Sequence, residues 1–223
     1  MAAERTGGDA SDLERHWPLF AIRIRIGDVA LRPAREADLP TLLDLLPDDD
    51  EHDPSSELFD GLDLEGNRRR IFVQTYWRSA GTWSPERWWL PFLVTHEGRI
   101  VGLQTLEGEH FAELRVVDSS SWLATAARGR GVGVSMRAGI LALAFDHLGA
   151  EAAVTSAREE NAASLGVSRR LGYEDNGISR SRSPSGPCTL RHMVLSRRAW
   201  EASGRGARVE VRGLEGCGPW FGL

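Results

Sequence analysis

The stretch Arg128-Gly129-Arg130-Gly131-Val132-Gly133-Val134-Ser135 stands between an apolar run that reads as a strand and another that reads as a helix. No other segment limits the possible folds as much. Three glycines at alternate positions let the backbone approach a ligand closely, and a helix start offers unpaired N–H groups and the positive end of its dipole. The segment predicts a strand–loop–helix unit that cradles an anion, with a phosphate-bearing cofactor as its natural guest. Two familiar phosphate loops do not fit it. A Walker loop ends in Gly-Lys-Ser/Thr, whereas Val134 and Ser135 follow Gly133. A dinucleotide fingerprint counted from Gly131 meets Met136 where Gly or Ala is needed, and one counted from Gly129 meets Val134.

What remains is Arg-x-x-Gly-x-Gly, as Arg128, Gly131 and Gly133. It resembles the cofactor signature of the GNAT family of N-acetyltransferases, closest in pattern to the branch acting on ribosomal proteins and small molecules. The following order resembles that family too: a short strand at Ala152–Ser156, Asn161 opening a last helix with Ser164 one turn on, and a stop at Leu171-Gly172-Tyr173. The likeness is strongest from about Trp122 to Gly177 and rests on pattern alone before that. It implies an α/β fold with a mixed, mostly antiparallel central sheet of about seven strands and helices on both faces. It also implies acetyl-CoA as the donor, with no metal.

By the same resemblance, the loop Arg128, Gly129, Arg130, Gly131, Val132, Gly133, Val134 and Ser135 binds the cofactor, the backbone N–H groups from Arg130 to Val134 holding the pyrophosphate and Arg128 and Ser135 adding side-chain contacts. Leu123 and Ala124 pair with the pantetheine arm, Asn161 touches that arm, and Ser164 donates a hydrogen bond to the sulfur. Asn161 is equally well explained as an N-cap. Many relatives place a tyrosine where the departing thiolate needs a proton, and this helix has none. For the base, Asp118 lies on the strand entering the motif, close to where relatives place a glutamate, and Glu113 is the other candidate; His110 is weaker. Ser119, Ser120 and Ser121 could order a water relay. Direct acyl transfer needs such a group, because an amine of pKa about 10.4 is mostly protonated at neutral pH.

Composition narrows the partners. The net charge of −5 and the absence of a dominant basic stripe argue against nucleic acid and suit amine substrates. No run approaches a membrane span and the N-terminus has no leader-like core, which places the chain in the cytoplasm. Cys188 and Cys217 form no metal or disulfide framework. Trp77, Trp83, Trp88 and Trp89 either cover the acceptor pocket or pack the core, and the acidic loop Asp48–Asp53 would attract an amine.

Three parts are expected: a flexible segment 1–18, a catalytic domain 19–203 and an apolar tail 204–223 docking on the core or on a partner subunit in a homodimer. Within the domain the pattern predicts a hairpin at 21–31, helices over 36–46 and 68–78, strands at 90–95 and 100–106, one long strand over 111–123, and final strands at 173–183 and 190–195. Rival readings are an acyltransferase fed by a carrier-protein thioester and a non-catalytic acyl-CoA binding module.

Overall fold

Alternating arginine and isoleucine give β1 (Arg23–Ile26), and Gly27, at a φ of 56°, turns the chain back into β2 (Val29–Pro33). The computed structural model describes residues 9–50 and 52–223, the side chains of 9–12 excepted. Residues 9–16, expected to be loose, form α1 (Asp9–His16), which Glu14 ties to Arg35 and Arg23. Residues 1–8 lie outside the described part.

After β2, the turn Glu36–Asp38 leads into α2 (Leu39–Leu45), which buries Leu39 and Leu42. Arg32 grips both Asp38 oxygens at 2.7 and 2.6 Å and the Arg35 N–H adds a bond of 2.8 Å. Partial burial pushes the Asp38 carboxyl up, but these donors outweigh it and hold it below the usual aspartate range. The next helix, α3 (Leu64–Gly81), begins earlier than its apolar stripe predicts. Asp63 supplies the reason, accepting the Gly66 N–H at 2.7 Å as an N-cap.

The strands β3 (Arg87–His96) and β4 (Arg99–Glu109) meet at the Glu97-Gly98 turn. The single strand expected over 111–123 is instead a short helix, α4 (Phe111–Leu114), followed by β5 (Val116–Leu123). Fully buried Phe111 anchors that turn, and His110 and Arg115 on either side adopt left-handed backbone, which breaks a strand. The glycine loop opens α5 (Val132–Ala142), prolonged by a wider π turn over Leu143–His147. Then follow β6 (Ala152–Arg158), α6 (Ala162–Leu171), β7 (Glu174–Ser183), β8 (Gly186–Ser196), α7 (Arg197–Ser203) and β9 (Glu210–Arg212).

All nine strands form one sheet in the order β7-β8-β6-β5-β4-β3-β2-β1-β9, antiparallel throughout except at β5–β6. The expectation of about seven strands falls short partly because the tail adds β9 to the edge of β1. On one face α5 covers the main core of Ile24, Leu31, Phe92, Val94 and Leu106. On the other, α2 and α3 cover a smaller cluster in which Leu42 and Leu93 meet Phe72, Leu103 and Trp122. Among the described residues no helix is long and apolar enough to cross a membrane.

Trp83 and Trp88 turn out to be packing residues. Phe221 of the tail is fully buried with its ring 4.9 Å from that of Trp88, and the Trp83 indole N–H donates to the Trp220 carbonyl at 2.9 Å. Gly108 leaves room for this cluster, since a Cβ there would lie 2.4 Å from the Trp88 ring. Trp77 is exposed, and Trp89 faces the polar side of the sheet. Cys188 and Cys217 are free thiols, and burial pushes that of Cys217 up to about 11.

Phe221→Ala should therefore act as a core truncation, costing about 3–5 kcal/mol. At this size that lowers the melting temperature by roughly 10 °C. Thermal unfolding followed by circular dichroism checks this, and an unchanged melt would mean that the tail does not hold the aromatic cluster.

Candidate functional site

The parallel pairing of β5 with β6 lasts for two residue pairs, Val116 with Ala152 and Val117 with Ala153. Beyond them β5 stays with β4 as far as Leu123, while β6 stays with β8 as far as Arg158. The two strands therefore diverge into a fork. At its closed end the Thr155 hydroxyl reaches the Ser119 carbonyl at 3.4 Å. Backbone groups on the facing edges of an open fork lack ladder partners, so a ligand able to pair with them is favoured there.

The glycine loop lies at the open end. Gly129 and Gly131 hold φ values of 75° and 83°, which side-chain-bearing residues rarely adopt, and a Cβ on either would meet nothing within 4 Å. The first bonds of α5 run from the Val134 and Ser135 N–H groups to the Gly131 carbonyl, both 3.1 Å. The amides of Val132 and Gly133 precede them and remain for an anion. Gly133 must be small for another reason: a Cβ would sit 3.3 Å from Val167 of α6 and 3.8 Å from Leu123 of β5. The structure thus brings together Leu123, Ala124, the loop from Arg128 to Ser135 and, at Val167, the middle of α6.

Within this group, Val132 buries its side chain and can offer only backbone. Arg128 donates to the Leu123 carbonyl at 3.0 Å and grips Asp49 with two bonds of 2.7 and 2.6 Å. The Asn161 side chain accepts the Ser164 N–H at 3.0 Å, a helix cap, and Ser164 is half-buried in the first turn of α6.

On the α3 side of the sheet, Asp118 stands directly across from Glu107 of β4. The Ser120 hydroxyl donates to one Glu107 oxygen at 2.8 Å and the Trp89 indole to the other at 2.9 Å. Burial pushes the Glu107 carboxyl up, as does the neighbouring Asp118 charge. Asp118 reaches solvent, yet the protein crowded around its carboxyl pushes that group up as well, against its bond of 2.6 Å from the Ser119 N–H and the charges of Arg137 and His192. Sequence reasoning missed Glu107 and His192. Their signal was register: His192 faces Ser156 across β6–β8, as Glu107 faces Asp118, and neither pairing is visible in a linear pattern. Glu113 is exposed on α4, ahead of the closed end of the fork, so the structure does not bring it to Asp118.

Beside these carboxylates a cleft of about 430 Å³ runs under α3, lined by Asp50, His52, Asp53, Phe72, Ser121 and Trp122 among others. Its lining combines the carboxylates of Asp50 and Asp53 and the rings of Phe72 and Trp122 with Arg68, whose guanidinium is engaged by Glu65 and by the Pro47 and Asp50 carbonyls. Such a lining suits a cationic, partly apolar guest.

A family model described as an acetyltransferase (GNAT) domain matches residues 28–174. The chain belongs to the GNAT acetyltransferase family. Among solved structures, RimJ of Mycobacterium smegmatis in complex with CoA-disulfide superposes with a TM-score of 0.67 at 19% identity, over 84% of this chain and 97% of the other. A spermidine N-acetyltransferase from Vibrio cholerae, in complex with CoA and spermine, gives 0.61 at 13% identity, covering 78% and 98%. RimL, a ribosomal L7/L12 alpha-N-protein acetyltransferase in complex with coenzyme A, gives 0.61 at 15%, covering 78% and 97%. These likenesses establish the GNAT fold.

Glu107 should titrate above the usual glutamate range in a carboxyl-carbon NMR titration, and Asp118→Asn should lower its midpoint by removing a like charge. The sign for stability follows. A carboxyl raised in the folded state costs nothing at low pH and destabilises as pH rises through the interval between its unfolded and folded values. An ordinary midpoint for Glu107 would mean that water, not protein, surrounds it.

Proposed function

We propose that the chain transfers an acetyl group from acetyl-CoA to a primary amine by direct attack on the thioester. The observation carrying this reading is the fork between β5 and β6 with the glycine loop at its mouth. The amides of Val132 and Gly133 fit a pyrophosphate, the free edge of β5 at Leu123 and Ala124 fits an extended amide-bearing arm, and buried hydroxyls lie unpaired at the closed end. When bound, the cofactor supplies an activated acyl carbon.

The remaining work falls to side chains. The cleft acids at Asp50 and Asp53 draw in the ammonium form of the acceptor, with Phe72 and Trp122 packing against its apolar part. Asp118 takes the proton that frees the amine lone pair. Its raised carboxyl suits that task better than an ordinary aspartate, since a base is most effective with a pKa nearer the working pH. Glu107, fixed by Ser120 and Trp89, holds a second acidic group beside it. The new C–N bond forms as the C–S bond breaks, and the nitrogen gives up its second proton to water as the amide forms. Sulfur keeps the electron pair, and Ser164 donates a hydrogen bond to it.

Two experiments test the proposal. Acetyl-CoA and CoA, each at about a hundredfold the dissociation constant, should raise the melting temperature by several degrees while ATP and NAD do not. Gly131→Asp, which sets a carboxylate at the loop, should abolish that shift in a folded protein. With an amine acceptor found by screening, Asp118→Asn should lower kcat by about 10²–10⁴-fold and remove the acid limb of the pH profile, whereas Glu113→Gln should leave both unchanged. No CoA shift would overturn the cofactor reading. A CoA shift with no turnover on any amine would leave a binding module in place of an enzyme.

A further inference from the structure

Arg137 is the most anomalous side chain in the molecule. It projects from the otherwise apolar α5 and is only 3% exposed. A buried guanidinium normally has a carboxylate partner or a full set of acceptors. Among the described residues no carboxylate lies within ion-pair distance of Arg137. Its hydrogen bonds are two long ones, from Nη2 to the Ser121 hydroxyl at 3.3 Å and from Nη1 to the Thr155 hydroxyl at 3.5 Å, and its Nε has no acceptor. These two hydroxyls belong to β5 and β6. Arg137 therefore spans the fork from the helix side, close to where the strands part.

Other unpartnered groups gather around it. The Tyr173 and Ser119 hydroxyls are both buried and neither makes a hydrogen bond of good geometry, although Tyr173 lies within reach of both Arg137 and Ser119. Burial pushes Tyr173 up to about 12, so it stays a neutral donor. Three segments that are far apart in sequence thus gather donors here, and Asp118, whose charge reaches them, makes no ion pair with the guanidinium. A site built this way in a dry interior is complementary to a negative charge that arrives from outside. Ser121 can relay that field. Its hydroxyl oxygen accepts from Arg137 on one side, and the residue is exposed and lines the acceptor cleft on the other. Accepting there turns the Ser121 proton away from the guanidinium and toward the fork.

Resting on the proposed cofactor site, we infer that Arg137 is a positioning residue that orients and polarises Ser121 as a hydrogen-bond donor to the thiolate of CoA. The sulfur accepts the hydrogen bond and no proton changes owner at this step. Ser164 alone is a weak donor for that charge, and α6 offers no acidic side chain to assist it.

The experiment measures the dissociation constants of CoA and of desulfo-CoA by calorimetry from pH 6.5 to 9.5. Asp118 and His192 are the other titratable groups near this site, besides Tyr173. Desulfo-CoA experiences the same protein titrations without a thiol, so the ratio of the two constants reports the sulfur alone. In the wild-type protein the ratio should favour CoA by about tenfold or more as pH rises, the change expected for a bound thiol pKa lowered by a unit. Arg137→Gln should flatten the ratio while keeping desulfo-CoA affinity, Ser121→Ala should do the same, and Arg137→Lys should restore most of the slope. A flat ratio in the wild-type protein overturns the inference without any variant, and a slope that survives Arg137→Gln overturns it as well. Wild-type protein that binds neither nucleotide overturns the cofactor reading, and this inference falls with it. Binding of both with a flat ratio overturns this inference alone.

Discussion

One missing ladder organises this molecule. Two strands that begin as parallel neighbours at Val116–Val117 and Ala152–Ala153 separate, and each then pairs only with its other neighbour. Breaking a ladder inside a nine-stranded sheet exposes N–H and C=O groups that must find water or a ligand. The rest of the fold is arranged to make that opening stable. The antiparallel partners β4 and β8 hold the divergent strands from outside, and Thr155 bridges the closed end to the Ser119 carbonyl. At the open end Arg128 ties the glycine loop to the Leu123 carbonyl, and Gly133, having no side chain, leaves Val167 room to approach.

Much of this was legible in the sequence, and for identifiable reasons. Local signals survive folding when packing does not contradict them: Gly131 marks a positive φ at a helix start, Asn161 a cap, and Gly172 a helix stop with φ of 95°. The hairpin at Gly27 was equally plain. What failed was what depends on distant partners. The segment 111–123 reads as one long strand, yet Phe111 is taken by the core and the chain turns once before β5 begins. The tail reads as apolar but gives no hint that Glu210–Arg212 would extend the sheet, because β-pairing partners are not encoded locally.

The candidate site divides along the same line. Its cofactor half is contiguous, from Leu123 to Ser135 with the α6 cap, and so a linear motif describes it. Its acceptor half is assembled from register. Glu107, Asp118 and His192 come from β4, β5 and β8, and the acids Asp50 and Asp53 come from a loop far from all of them. Asp118 is a candidate because it sits on the strand entering the motif, with Glu113 the other one; the α4 turn sets the two apart. Arg137 was passed over because reading α5 for its apolar faces discards the one residue that does not fit. A charged residue inside an apolar stripe is a local contradiction of the pattern, and such contradictions concentrate where function overrides packing.

The contact between Arg128 and Asp49 joins the two halves. Resemblance assigns Arg128 to the pyrophosphate, yet here both of its terminal nitrogens are engaged by a carboxylate of the acidic loop. An exposed ion pair of this kind contributes at most about 1 kcal/mol, so a phosphate arriving at the loop can compete for the guanidinium at little cost. The Nε bond to the Leu123 carbonyl need not break in that exchange. If Arg128 turns to the pyrophosphate, Asp49 loses its partner, while Arg68 keeps the Pro47 and Asp50 carbonyls of the same loop bound to α3. The acidic wall of the acceptor cleft then stays in place and gains the released Asp49 carboxylate. Direct transfer needs both substrates bound at once, and this exchange leaves that carboxylate beside the bound donor.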